Sequence, residues 1–256
     1  MRSHPLKIAG VGAFILIAAI VPQPGTAAPN EVVALVASNA KGAFTEIIKD
    51  FESKHKGVTV KASYLGGSDI GKMVDEQQEA DVVLVGSATT KKEANLLGPT
   101  TAVLRNKEVI LVPKGNPAKI KVLKDLANPG VNLAIGTPDS AVGKLASQVI
   151  QNGASVYGFD FVKGVRDNVK VQAEKGSDVV GAVGGAANAA IAFGSDKNDA
   201  KYTTIPIEDK LNVVSTYEMA VTKNSKNAKL AEALVDAVQG PKGQAVLRKF
   251  NYMAPK

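Results

Sequence analysis

The sequence predicts an α/β protein built as two lobes, and three observations carry that reading. Beyond residue 30, short apolar stretches alternate with segments whose apolar residues recur at helical spacing, the pattern of crossover units in a mostly parallel sheet. The alternation breaks once, at Lys114-Gly115-Asn116-Pro117, and a second, similar series follows. A final segment that returns to the first series makes the first lobe discontinuous, with 29–112 plus 213–256 as lobe 1 and 113–212 as lobe 2. Ligands of open α/β sheets sit at the carboxyl ends of the strands. Two such sheets facing each other turn that crevice into a ligand cleft between lobes, able to close by hinge motion.

Taken in order, the first strand is 31–37, and helix 41–54 follows with Phe44, Ile47, Ile48 and Phe51 on one face. Strand 58–64 alternates, 69–78 reads as a helix, and 81–85 closes a second crossover unit. An apolar strand at 109–112 ends the first series. The second series reads as helix 122–127, strand 132–135, helix 142–152, a strand around Lys170, helix 178–186 and the small-residue strand 188–193. After Ile205-Pro206, 213–221 reads as strand, 228–238 as helix and 243–250 as a short helix.

The N-terminus predicts export. Arg2 and Lys7 flank the start of an apolar run from Ile8 to Val21, and small residues follow at Gly25-Thr26-Ala27-Ala28. This is the pattern of a signal peptide over 1–28, cleaved on secretion. The run is short of the ~20 residues that span a bilayer. The chain has no cysteine, so it can hold neither a disulfide nor the acylated cysteine of a tethered lipoprotein. A freely diffusing exported protein suits a periplasm. No heptad seam is present, and a monomer is expected.

The formal net charge is +7, falling to about +5 once Arg2 and Lys7 are removed. A small anionic ligand fits this surplus better than nucleic acid. The lysines are spread along the chain, and seven Phe, five Tyr and no Trp offer little base stacking.

One stretch imitates a nucleotide-binding loop: Gly66 to Lys72 has the spacing G-x-x-x-x-G-K. The Ser or Thr that would hold magnesium is Met73, and Asp81 opens its strand rather than ending it. The glycines and serine there belong to another pattern. Four strand-to-helix corners carry small polar residues: Ser38-Asn39, Gly66-Gly67-Ser68-Asp69, Asp139-Ser140-Ala141-Val142-Gly143 and Gly176-Ser177-Asp178. A helix start presents free N–H groups and partial positive charge, serine adds a hydroxyl, and glycine admits close approach. The same residues are also what helix caps prefer. Converging on one point, they would surround an anion with neutral donors.

Enzymatic constellations are missing. His55 is the only histidine after the signal segment and lies between Lys54 and Lys56. No catalytic residue, metal site or cofactor is expected.

At this point the chain resembles the periplasmic molybdate-binding proteins of ABC importers, within the type 2 solute-binding fold. The stretches that carry the resemblance are "ALVASNAKGAFTEIIKDFESKHKGVTVKASY", "EADVVLVGSA", "VILVPKGNP", "LKDLANPGVNLAIGTPDSAVGKLA" and "GPKGQAVLRKFNY". The stretch "LRNKEVILVPKGNPAKIKVLKDLA" is also similar to a neighbouring branch that binds sulfate or small carboxylates. The resemblance implies a non-catalytic protein that captures a small oxyanion, molybdate or tungstate first, for an ABC permease in the inner membrane. Sulfate, phosphate or a small organic acid is the alternative, and a secreted hydrolase or transferase a more distant one. The family's two ligand serines fall on Asn39 and Gly67, with Ser38 and Ser68 adjacent. Its ligand tyrosine falls on Phe193, and its backbone donors fall near Val142, beside Ser140, and around Lys175 to Ser177, with Gly176 between them. The scaffold is kept while hydroxyl ligands are changed.

Overall fold

The structure is a computed structural model that describes residues 30–255. The expected signal peptide lies outside the described residues. Strand β1 (Glu31–Ala37) is followed by a single 3-10 turn (Ser38–Ala40) and helix α1 (Lys41–Lys54). Next come β2 (Thr59–Leu65), α2 (Gly67–Asp75), β3 (Val82–Gly86) and a short α3 (Ser87–Lys92). The α1 stripe buries Ala43, Phe44, Ile47, Ile48 and Phe51, as its spacing requires.

Strand β4 (Thr101–Pro113) is 13 residues long, far beyond the apolar run at 109–112. A 3-10 helix (Leu123–Ala127) stands where an α-helix was expected, and its first turn is held by the Asp125 carboxylate, which accepts from the N–H groups of Lys121 and Val122. The second series continues with β5 (Leu133–Gly136), α4 (Ala141–Tyr157), α5 (Phe159–Asn168), β6 (Val169–Ala173), α6 (Gly176–Gly181) and β7 (Ala189–Phe193). Then come a 3-10 turn (Gly194–Asp196), β8 (Tyr202–Pro206), β9 (Val214–Val221), α7 (Ala228–Gln239) and α8 (Pro241–Lys249).

The strands are ordered β2-β1-β3-β9-β4-β7-β5-β6, with β8 also on β4. Pairings among β1, β2 and β3, and among β5, β6 and β7, are parallel; every pairing made by β4 or β9 is antiparallel. The sheet is therefore mixed rather than mostly parallel. The difference comes from the two strands that join the series. Residues 101–107 of β4 pair with β9, and residues 108–113 pair with β7 and β8. One continuous strand thus serves two sheets.

Each sheet is covered on both faces. In the first, α1, α7 and α8 pack a core that includes Phe44, Phe51, Val36, Leu84 and Leu234, while Ile70 and Val74 of α2 cover the other face with Leu35, Val83 and Val85. In the second, Ala146, Val149, Phe161 and Val165 of α4 and α5 cover Ile110, Leu133 and Ile191. Val179 and Val183 seal the opposite side against Ala134 and Ala190. Asp81, which opens the expected strand, is structural. Its carboxylate accepts from the Val33 and Asn227 N–H groups and the Ser225 hydroxyl, pinning β1 to the start of α7.

Phe51 is 1 % exposed and stacks on His55 with ring centroids 4.2 Å apart. Phe51→Ala is expected to cost about 3–5 kcal/mol in urea unfolding, the usual effect of removing a buried ring. A loss under ~1 kcal/mol would show that the α1 face is not a packed core.

Candidate functional site

The carboxyl ends of β1, β2 and β3 and those of β5 and β7 face the part of β4 that passes between the sheets, beside β9. Tyr217 of β9 lies opposite Gly86, the end of β3, and Glu108 of β4 lies opposite Phe193, the end of β7. The crossing is tied by side-chain amides. Asn212 accepts from the Glu108 and Val213 N–H groups and donates to the Glu108 carbonyl at 2.8 Å. Asn106, 1 % exposed, donates to Ser195 Oγ at 2.9 Å and accepts from the N–H groups of Lys107 and Ser195.

Of the residues the sequence singles out, Asn39 is drawn furthest into this crossing. Its amide donates to Tyr217 Oη at 2.9 Å, and its carbonyl accepts from Tyr252 Oη at 2.6 Å. Ser195, held by Asn106, stands close enough to oppose slightly the burial that raises the Tyr252 hydroxyl, so residues from both sheets meet in one polar cluster. Gly176 sits on the far side. A Cβ built there would lie 3.4 Å from Asp196 Oδ2 and 3.9 Å from Phe193 Cδ2. Phe193 is 3 % exposed and packs with Val142 and Val179.

The other positions stand at the corners. Ser38, Ser68 and Ser177 are exposed, and Ser177 Oγ lies 3.3 Å from Asp178 Oδ1. Gly67 opens α2, and a Cβ there would meet Val85 Cγ2 at 3.5 Å and Thr89 Oγ1 at 3.8 Å. Lys72, the lysine of the apparent nucleotide loop, reaches Glu76 at 3.7 Å from the C-terminal end of α2. Ser140 is the N-cap of α4: its hydroxyl accepts from Gly143 N–H and donates to the Thr137 carbonyl. Both its roles are local, while the N–H groups of Ala141 and Val142 start the helix with no acceptor inside it. This corner is tight. A Cβ on Gly143 would fall 1.9 Å from the Thr137 carbonyl oxygen, so only glycine fits.

Sequence reasoning missed Asn106, Glu108, Ser195, Asp196, Tyr217 and Tyr252. They belong to strands and turns, not to the helix starts that carry an anion-site signature. Burial pushes the Tyr217 hydroxyl up to about 12 and raises that of Tyr252 as well, so both stay protonated donors. Burial pushes the Asp196 carboxyl up to about 6, against the pull of a hydrogen bond from Phe193 N–H. Burial, and then the Asp196 charge, hold the Glu108 carboxyl well above the ordinary carboxylate range. Among the described residues there is no group of three or more His, Asp or Glu placed to hold a metal ion.

Two covered sheets joined by the strand β4 and by the segment 207–213, with their strand ends facing a common polar segment, define the two-lobed architecture of a solute-binding protein. The family comparison agrees: the bacterial extracellular solute-binding protein family matches residues 32–252, and the chain belongs to that family. It is a binding protein and not an enzyme. A molybdate-binding protein of Mycobacterium tuberculosis is 26 % identical over 241 residues, covering 91 % of this chain and 88 % of that protein. The periplasmic molybdate-binding protein of Azotobacter vinelandii superposes with a TM-score of 0.71 at 18 % identity, over 88 % of this chain and 100 % of that one. A sulfate-binding protein of Mycobacterium tuberculosis superposes with a TM-score of 0.74 at 16 % identity, over 88 % of this chain and 87 % of that one. Among the described residues, no helix is long and apolar enough to cross a membrane.

The raised Asp196 carboxyl makes a prediction about stability. Its ordinary value is 3.8 and its folded value about 6, so between these limits the native state holds a proton that the unfolded chain has released. Stability from this group is therefore greatest below pH ~4 and falls as pH rises towards 6, by about 3 kcal/mol in all. Asp196→Asn removes the titration. Urea unfolding of both proteins from pH 4 to 8 should show the wild type losing ground to the variant over that window. A constant difference would contradict the burial of this acid.

Proposed function

We propose that the protein captures a small oxyanion of the molybdate or tungstate type in the cleft between its lobes and delivers it to an ABC permease in the inner membrane. On this reading it is exported to the periplasm, its segment 1–28 is removed, and it acts as a monomer. The observation that carries the proposal is the meeting of Asn39, Tyr217, Tyr252 and Ser195 where the strand ends of both sheets face each other. These are neutral donors, and a desolvated oxyanion is held by such donors as well as by helix starts. The names of the molybdate-binding relatives support the ligand class. The lobes would be 29–112 with 213–256, and 113–212, moving about the chain segments that join them.

Thermal shift against molybdate, tungstate, sulfate, phosphate and citrate tests the ligand class. A ligand at 100 times its dissociation constant stabilises by about 2.7 kcal/mol. No shift with molybdate or tungstate beside a clear shift with another anion would replace this ligand assignment. Gly67→Ser tests the second corner, where a side chain meets its neighbours at ordinary contact distance. A new hydroxyl bonded to a charged ligand is worth about 1.5–3 kcal/mol, so molybdate affinity should rise about 10- to 150-fold in calorimetry. Unchanged affinity would remove Gly67 from the site. Small-angle scattering should show compaction with saturating ligand.

A further inference from the structure

Glu108 has no role in the fold described so far. Its residue is 0 % exposed, and both carboxyl oxygens lack a hydrogen-bond partner. It stands directly opposite Phe193 in the antiparallel pairing of β4 and β7. Opposed residues of such a pair project from the same face of the sheet. Phe193 in turn abuts the Gly176 corner, and Asp196 Oδ2, another buried oxygen without a partner, lies 3.4 Å from the Cβ position of Gly176. Three carboxyl oxygens without partners thus flank one strand end at the crossing. A buried polar group left unpaired costs about 1–3 kcal/mol, more if charged, which a purely structural residue would not sustain.

We propose that Glu108 is a ligand residue of the cleft that works as a neutral acid, donating its carboxyl proton to a fully deprotonated oxyanion. It takes the place of the hydroxyl that the resemblance expects at the strand end, where this chain has Phe193. The inference rests on the oxyanion reading above.

The surroundings favour the neutral form. The groups that face this part of the site are Asp196 from the turn after β7, Tyr217 from β9 and Tyr252 from the C-terminal segment. Among the described residues none of the groups that shift Glu108 is basic, and the Asp196 charge works against ionisation. Lys107, next along β4, pairs instead with Asp209 at 3.1 Å. Ionised, Glu108 would repel a dianion; protonated, it supplies one more donor of the kind a dianion without protons requires. Capture is then linked to retention of a proton, and affinity falls as pH rises through the Glu108 titration, by at most about tenfold per pH unit for one coupled proton.

The test uses the mature protein with molybdate and sulfate, neither of which carries a proton to donate at neutral pH, and follows affinity by calorimetry from pH 5.5 to 9. Wild-type affinity is expected to decline across the alkaline part of this range. Glu108→Gln replaces the titrating donor with a fixed amide donor, and its binding should lose the alkaline decline, keeping only the change near pH 6 that Asp196 imposes. Glu108→Leu should bind about 10- to 150-fold more weakly at pH 6, the loss of one hydrogen bond to a charged group. An independent readout needs no ligand: the infrared difference between wild type and Glu108→Gln at pH 7 should contain a protonated-carboxyl band. Anion binding that is independent of pH, or a missing band, overturns the acid role while leaving oxyanion binding in place. A band present with no anion bound at any pH overturns the proposed function, and the ligand role of Glu108 with it.

Discussion

Everything in the binding region depends on the continuity of β4. Because β9 runs antiparallel to β4, and β3 antiparallel to β9, the parallel strands of the first sheet point the same way as β4, towards residue 107. Because β7 and β4 are antiparallel, the parallel strands of the second sheet end at the level of residue 108. Two sets of carboxyl ends are thereby aimed at the same short piece of one strand. A cleft follows from strand directions alone, before any side chain is considered. A loop in place of residues 106–108 would leave the two sheets free to face elsewhere.

Given that geometry, the side chains at the crossing divide by charge state. The amides and hydroxyls fall into two adjoining hydrogen-bonded groups, Asn39 with Tyr217 and Tyr252, and Asn106 with Ser195. Such networks gain strength in a low-dielectric setting and fix the angles of their members. Glu108 and Asp196 stand beside the network with oxygens it does not satisfy. A rigid donor array next to groups with spare hydrogen-bonding capacity is the form of a site prepared for something that enters it, and differs from a core that has finished folding.

How much of this was legible in the sequence varies by element. Helix α1 was read to the residue because Phe44, Ile47, Ile48 and Phe51 repeat at 3.6 and nothing competes with them. Strand β4 was read as 109–112 only, because Arg105, Asn106, Lys107 and Glu108 interrupt its apolar pattern; they extend the strand as the bridge between sheets. Helix α5 was missed: only Phe161 and Val165 of it are buried, and Phe159 stands 88 % exposed. The short α3 was also missed, as was β8, which pairs with β4 near a proline. At the site, the corners were visible because helix starts have a local composition. Glu108, Asp196, Tyr217 and Tyr252 carry no local signal. They meet only through pairings that span much of the chain, such as the one between Asn39 and Tyr217, 178 residues apart.

The side-chain amide of Asn106 has a mechanical meaning beyond its place at the crossing. Asn106 lies in the part of β4 that pairs with β9 in the first sheet, whereas Ser195, which accepts from it at 2.9 Å, follows β7 of the second. The chain itself joins the sheets through β4 and through 207–213, but this further link is not covalent, and on the proposed lobe motion parting that side would break it. A hydrogen bond of this kind contributes about 0.5–1.5 kcal/mol net. On the proposed hinge motion, that amount would change the ratio of closed to open molecules about 2- to 13-fold in the absence of ligand. Since apparent affinity scales with the fraction already in the competent state, on that reading one amide outside the proposed donor set would set part of the protein's resting bias.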